Sequence, residues 1–396
     1  MIADVVIVGT GVSGLFCALS LPCEMQIVML TKSDVESSDS YLAQGGICVK
    51  RDEDDFDAFM EDTMKAGHYE NRRESVSIMI EDSREVIADL VSYGVEFTKK
   101  DNNIKCLDWD NFCYTKEGAH SKARILYHQD ITGEEITKKL IAEAKKRANI
   151  TILEYTEMTD ICTQQNVCKG VLAKKDGEEI EILAQDIVFA TGGIGGNYTH
   201  STNFPHLTGD ALEIAKKYGI VLEHMDYVQI HPTSLYSKKE GRRFLISESV
   251  RGEGAILLDK EGNRFVNELL PRDVVTEAIH KQMEKDGTEH VWLSLEQIPS
   301  QTIIEHFPNI YKRCLEEGYD VLKEPIPVVP AQHYFMGGIK VDSDSKTSME
   351  HLYAVGETSC NGVHGKNRLA SNSLLESIVF AKRAAKHIET CRTKER

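Results

Sequence analysis

The sequence predicts an α/β fold, a Rossmann-like dinucleotide-binding domain with a small antiparallel meander and an inserted α+β capping domain. Three observations predict it. The apolar run Val5-Val6-Ile7-Val8 breaks into Gly9-Thr10-Gly11-Val12-Ser13-Gly14 and continues as a helical apolar pattern through Leu21. Two later runs repeat the theme: Ile187-Val188-Phe189-Ala190 ends in Thr191-Gly192-Gly193, and Leu352-Tyr353-Ala354-Val355 ends in Gly356-Glu357 before a long helical pattern from Asn372 to Ile388. Between about Met225 and Pro330 the elements shorten, and His, Arg and Glu gather near turns. The expected division is therefore 1–224 and 334–396 for the two parts of the nucleotide domain and 225–333 for the cap.

The opening glycines have separate tasks. The first allows a tight turn, the second lets backbone amides approach a pyrophosphate, and the third lets helix and strand pack closely. The phosphates belong at the helix N-terminus, where unpaired N–H groups and the dipole favour negative charge. Gln26 to Thr31 reads as the second strand, ending in Lys32 rather than the acidic residue that grips a ribose in NAD-binding folds. The polar loop from Ser37 to Gly46 closes on a diglycine that no regular element favours, so its backbone can wrap a flat ligand.

Residues 54 to 66 and 71 to 93 read as amphipathic helices, the second stopped by Gly94. The runs Ile150–Tyr155, Val167–Lys174 and Glu178–Leu183, separated by polar turns, read as the meander. A helix over 211 to 219 follows Gly209-Asp210. Pro271 suits a first helical position. Arg272 then falls in the first turn, where the dipole disfavours a cation, and pairing with Asp273 or Glu268 would be its plain explanation.

A chain of 396 residues exceeds one comfortable core, in keeping with two domains. The net charge of -17 repels nucleic acid and anionic membrane alike. No apolar run reaches the ~18 residues of a membrane span and no cationic leader precedes the first strand, so a cytoplasmic protein is expected. The ten cysteines form no CxxC pair and the fourteen histidines no HExxH, so reduced thiols and no metal are expected.

The chain resembles the L-aspartate oxidases, within the flavoprotein family that includes succinate dehydrogenase and fumarate reductase flavoprotein subunits. The resemblance rests on ordered motifs: Ala43-Gln44-Gly45-Gly46, Ala190-Thr191-Gly192-Gly193, His231-Pro232-Thr233, Arg251-Gly252-Glu253-Gly254, Pro271-Arg272-Asp273, His333-Tyr334 with Gly337-Gly338, and the segment from His364 to Leu374. It implies FAD. Gly9, Gly11, Val12, Ser13 and Gly14 would hold the pyrophosphate, and Lys32 would meet the ribose region. Ser40, Tyr41, Leu42, Ala43, Gln44, Gly45 and Gly46 would meet the isoalloxazine. Thr191, Gly192 and Asp210 are further contacts, Glu357 would bind the ribityl chain, and Ser373 and Leu374 would aim N–H groups at the flavin. Covalent relatives attach flavin through a histidine in the loop before Gln-Gly-Gly; Asp39 stands there in this chain, which implies noncovalent FAD.

The same resemblance implies the chemistry. Both substrate carboxylates would rest on His231, Ser247, His333 and Arg368, with Ser247 standing where the family carries Thr. Glu117 marks the aspartate oxidases, because an α-ammonium needs an anionic partner that succinate does not. Hydride would leave C2 for the flavin, Arg272 would move a proton at C3, and Glu248 and Arg251 would relay it to solvent. Oxidation of L-aspartate would give iminoaspartate for quinolinate synthase in NAD biosynthesis, with O2 (giving H2O2) or fumarate as acceptor. A soluble fumarate reductase is the nearest alternative; a non-catalytic flavin-binding subunit would lack this constellation. Longer relatives continue into a C-terminal helical domain, whose absence is expected here.

Overall fold

A computed structural model of the chain describes residues 1–104, 107–239 and 241–395. Its centre is a five-stranded parallel sheet in the order Leu352–Ala354, Asp186–Phe189, Val5–Val8, Ile27–Leu30, Ile150–Leu153. Parallel strands covered on both faces read as continuous apolar runs, which is why VVIV and IVML carry no polar residue. The period-two alternation still sorts them. Val5 and Ile7 join the core under the helices Val12–Ser20, Thr132–Lys146 and Asn372–Glu395, whereas Val6 and Val8 join the core under the meander and the helix Asp210–Lys217.

The inserted segment has a third core of its own. Its antiparallel sheet runs in the order Val228–Leu235, Ile326–Phe335, Val291–Ser294, Ile256–Leu258, with the helix Arg272–Asp286 packed beside it. The strand Ile326–Phe335 runs through residue 333, so we place the return to the nucleotide domain after Phe335. There the two connections press together. A Cβ on Gly337 would fall 2.0 Å from the His224 carbonyl oxygen.

Four expectations are corrected. The run from Ile150 to Leu153 belongs to the parallel sheet, in register with Ile27–Leu30, because an edge strand alternates just as a meander strand does. The meander is Thr156–Gln164, Val167–Lys175 and Glu178–Leu183, and Tyr155 at φ 53° turns the chain between the two sheets. The helix expected over 71 to 93 is two, Arg73–Glu81 and Ser83–Ser92, because the Ser83 hydroxyl donates back to the Ile80 carbonyl at 2.6 Å and accepts from the Lys50 N–H. Pro271 is the cap residue, and the helix begins at Arg272.

The nine cysteines described are free, and Cys106 lies outside the described residues. Among the described residues, no helix is long and apolar enough to cross a membrane.

Candidate active site

One cavity, about 1540 Å³ when the open solvent space at its mouth is counted, runs from the opening glycine turn to the inserted domain. At its first end the glycines are required by contact. Gly9 adopts φ 116°, and a Cβ there would lie 2.0 Å from the Ala190 carbonyl oxygen; one on Gly14 would lie 2.2 Å from the Gly9 carbonyl oxygen. Gly14 therefore packs the helix on the strand and is absent from the cavity lining, as is Val12, whose side chain is core and whose N–H donates to Ser40 Oγ at 3.1 Å. Gly9, Gly11 and Ser13 do line it.

Lys32 and Asp210, both in the wall, form an ion pair with each other at 2.6 Å, and the Lys32 ammonium also donates to Thr208. The Ser37–Gly46 loop is fastened onto the helix Thr132–Lys146. Gly133 N–H donates to the Ala43 carbonyl at 2.8 Å, and the Thr132 hydroxyl to the Gly45 carbonyl at 2.7 Å. Ser40, Leu42, Ala43, Gln44, Gly45 and Gly46 line the cavity; Tyr41 does not, and its ring instead faces the Lys138 ammonium. Tyr41 sits in a run of turns, its N–H donating to the Ser38 carbonyl at 3.0 Å and the Leu42 N–H to the Asp39 carbonyl at 3.1 Å.

Thr191, Gly192, Glu357, Ser373 and Leu374 complete this half. Glu357 accepts from the Phe335 N–H at 2.9 Å, and its carboxylate occupies the space a Cβ on Gly193 would need. Burial, together with the neighbouring Asp39, pushes the Glu357 carboxyl above the usual range. Asp39 also lines the cavity, accepts from the Phe204 N–H, and is pushed up by burial. The residues fit a flavin dinucleotide: the glycine cradle leaves room for a phosphate chain, and Ser38 Oγ and Gln44 Oε1 are buried in the wall without a protein partner.

The other end gathers Glu117, His231, Ser247, Glu248, Arg272, His333 and Arg368 in one wall. The alternatives for Arg272 fall away, because Asp273 bonds His68 and Glu268 bonds Arg264. Arg272 Nε lies 2.6 Å from Glu248 Oε2, and its Nη1 donates to Gln229 at 2.9 Å. Arg251 is not in the wall; it lies fully buried behind Glu248, 3.3 Å away. Burial raises the Glu248 carboxyl, but Arg272 and Arg251 overcome it and leave it lower than usual.

His231 and His333 meet edge to face at 5.1 Å between ring centroids. Burial, then the charge of Arg272, pushes both well below the ordinary histidine range, so both rings are neutral at pH 7. His231 Nε2 is buried without a protein partner, and so is Arg368 Nε. Arg368 lies over the Tyr334 ring at 4.6 Å and donates to Ser373 Oγ at 3.2 Å. Burial lowers it to about 10, still cationic at neutral pH. Ser247 caps the short helix Glu248–Gly252, accepting from the Ser249 N–H.

Glu117 is buried in this wall. Its Oε1 accepts from the Ser249 hydroxyl at 2.7 Å and its Oε2 from the Ser371 hydroxyl at 2.6 Å. Three arginines thus surround two carboxylates, a net positive site with one carboxylate, Glu117, free of an arginine bond. Sequence reasoning missed Gln229, Arg242, Ser249, Tyr334 and Ser371. Tyr334, beside His333, and Ser371, inside the segment from His364 to Leu374, lay within the motifs; Gln229, Arg242 and Ser249 did not.

Comparison with known proteins agrees with this geometry. The FAD binding domain family matches residues 4–374. The chain is 51% identical over 390 residues to the L-aspartate oxidase of Clostridium perfringens, covering 98% of this chain and 87% of that protein. It is 47% identical over 386 residues to that of Clostridium acetobutylicum, covering 97% and 87%. A chain of E. coli quinol fumarate reductase superposes with a TM-score of 0.91 at 28% identity, over 100% of this chain and 71% of that one. With about half its residues identical to these two relatives over nearly its whole length, the chain belongs to the L-aspartate oxidase family.

Proposed function

We propose that the cavity oxidises L-aspartate to iminoaspartate, with FAD held by the glycine turn, the Ser37–Gly46 loop and the start of the last helix. The observation that carries this reading is the Glu117 carboxylate, buried in a cationic wall and bonded to hydroxyls alone. A zwitterionic dicarboxylate needs such an arrangement: cations for two carboxylates and one anion for the ammonium. His231, Ser247, His333 and Arg368 take the carboxylates. Glu117 faces the ammonium.

Bound FAD supplies the two-electron acceptor for the hydride leaving C2. The atom balance then divides the proton chemistry. Forming the imine removes a hydride from carbon and a proton from nitrogen, whereas reducing fumarate to succinate adds a hydride to one alkene carbon and a proton to the other. The proton leaving nitrogen passes to Glu117, which faces it; Arg272, with Glu248 against it and Arg251 behind, gives the one proton that fumarate takes and is recharged through Glu248. An arginine needs this support, because its free pKa lies far above neutral.

Electrons leave to oxygen, giving hydrogen peroxide, or to fumarate. This oxidation is the first step of NAD biosynthesis, and the imine goes on to quinolinate synthase. Asp39 stands at the loop position of the covalent histidine, so acid precipitation releases the flavin.

Anaerobic addition of L-aspartate to the FAD-loaded protein bleaches the flavin, and fumarate restores it. Bleaching by succinate and not by L-aspartate would reject the assignment in favour of a dicarboxylate oxidoreductase.

A further inference from the structure

Glu117 is reached from two separate bodies of the fold. Ser249 belongs to the short helix Glu248–Gly252 of the inserted domain, and Ser371 precedes the last helix of the nucleotide domain. Each donates its hydroxyl to a different oxygen of the one carboxylate. The carboxylate cannot rotate without losing one donor or the other.

Ser371 is held in a conformation that an L-residue rarely takes, φ 60°. The surroundings enforce it. The Cys48 N–H donates to its carbonyl at 3.0 Å and the Gly46 N–H to its hydroxyl at 3.3 Å. Strain of this kind persists only where neighbouring structure over-determines it, and it gathers at functional sites. The opposite side of the carboxylate is set by Gly45, where a Cβ would fall 2.5 Å from Glu117 Oε1.

Resting on the reading of Glu117 as the ammonium partner, we propose that Ser249 and Ser371 are positioning residues: they aim the Glu117 carboxylate and so set the preference of the site for an α-amino dicarboxylate over an unsubstituted one. Burial and the Glu248 charge push Glu117 toward its neutral form, and the two hydroxyls and Arg272 oppose them. Arg251, Arg368 and the Cys48 thiol are the other titratable groups that feel its charge. Removing one hydroxyl therefore weakens the hold on an ammonium. An unsubstituted dicarboxylate makes no demand on Glu117.

The experiment uses the FAD-loaded enzyme with Ser249→Ala, Ser249→Thr and Glu117→Gln. In Ser249→Ala, kcat/KM for L-aspartate falls roughly tenfold, the worth of one hydrogen bond to a charged group. The acid limb of its pH profile moves to higher pH, fumarate reduction stays within about twofold, and Ser249→Thr restores both. Equal losses with L-aspartate and fumarate, or an unmoved acid limb, overturn the proposal. Thermal melting of each variant separates misfolding from loss of aim. If Glu117→Gln loses L-aspartate selectively while Ser249→Ala does not, the serine assignment alone fails; if Glu117→Gln loses nothing, the ammonium reading and this proposal fail together.

Discussion

The Glu248 carboxylate lies 2.6 Å from the Arg272 Nε, and both groups are buried. Arg251, buried behind it, is the second cation on this carboxylate, and Glu248 is the acid ion-paired with Arg272. Arg272→Lys and Glu248→Gln are therefore expected to lower fumarate reduction by about 10² to 10⁴. Oxygen-coupled aspartate oxidation, which needs no proton at C3, falls much less. Steady-state rates with the two acceptors check it, and equal losses count against the division of proton chemistry.

Arg368 presents a planar fork fixed by the Tyr334 face and Ser373. Lysine keeps the charge and loses the fork. Arg368→Lys lowers kcat/KM for L-aspartate about tenfold to a hundredfold, through KM more than through flavin content. Dicarboxylate binding, followed by the change it makes in flavin absorbance, checks this.

Gly14→Ala puts a methyl 2.2 Å from a backbone oxygen that cannot swing away. The helix must lift from the strand, at about 1 to 3 kcal/mol. Flavin bound per chain and the melting temperature fall together. A fully loaded variant of unchanged stability would show that the close approach is not needed.

Asp130 accepts from Asn309 N–H, Asn309 Nδ2 and Ile310 N–H, so a carboxylate of the nucleotide domain caps the helix Pro308–Glu316 of the inserted one. Asp130→Ala costs about 1 to 2 kcal/mol. Limited proteolysis within 300 to 320 accelerates as the cap loosens.

His120 is pushed down to about 4 by burial, then by Arg124, so it is neutral when folded and takes a proton below about 6.5 when unfolded. Its unfolded state binds more protons in that window, and stability is lost as pH falls. The stability advantage of wild type over His120→Gln shrinks between pH about 6.5 and 5 by up to roughly 1.4 kcal/mol per unit, read from denaturant midpoints.

What was legible in the sequence was what a single segment decides. Gly9 could be read because its turn takes φ 116°, and Gly14 because a side chain there meets the Gly9 carbonyl oxygen. His231, His333, Arg272 and Arg368 could be read from their motifs. Ser371 lies in the same segment as Arg368, but its contact with Glu117 could not be read, because it spans 254 residues, as that of Ser249 spans 132. Tyr41 was drawn in by its neighbours, although local backbone direction turns it outward. The run Ile150–Leu153 was placed in the wrong sheet because alternation shows that a strand is half covered and says nothing of its partner.

Two segments far apart in the sequence close the cavity. Ser13 lies under Gly356, where a Cβ would be 2.6 Å from its hydroxyl, and Ser373, Leu374 and Ser377 form wall opposite the opening turn. The first strand and helix alone therefore enclose no chamber. The wall needs the start of the last helix as well as the opening turn, so a chain cut before Asn372 is expected to hold no FAD.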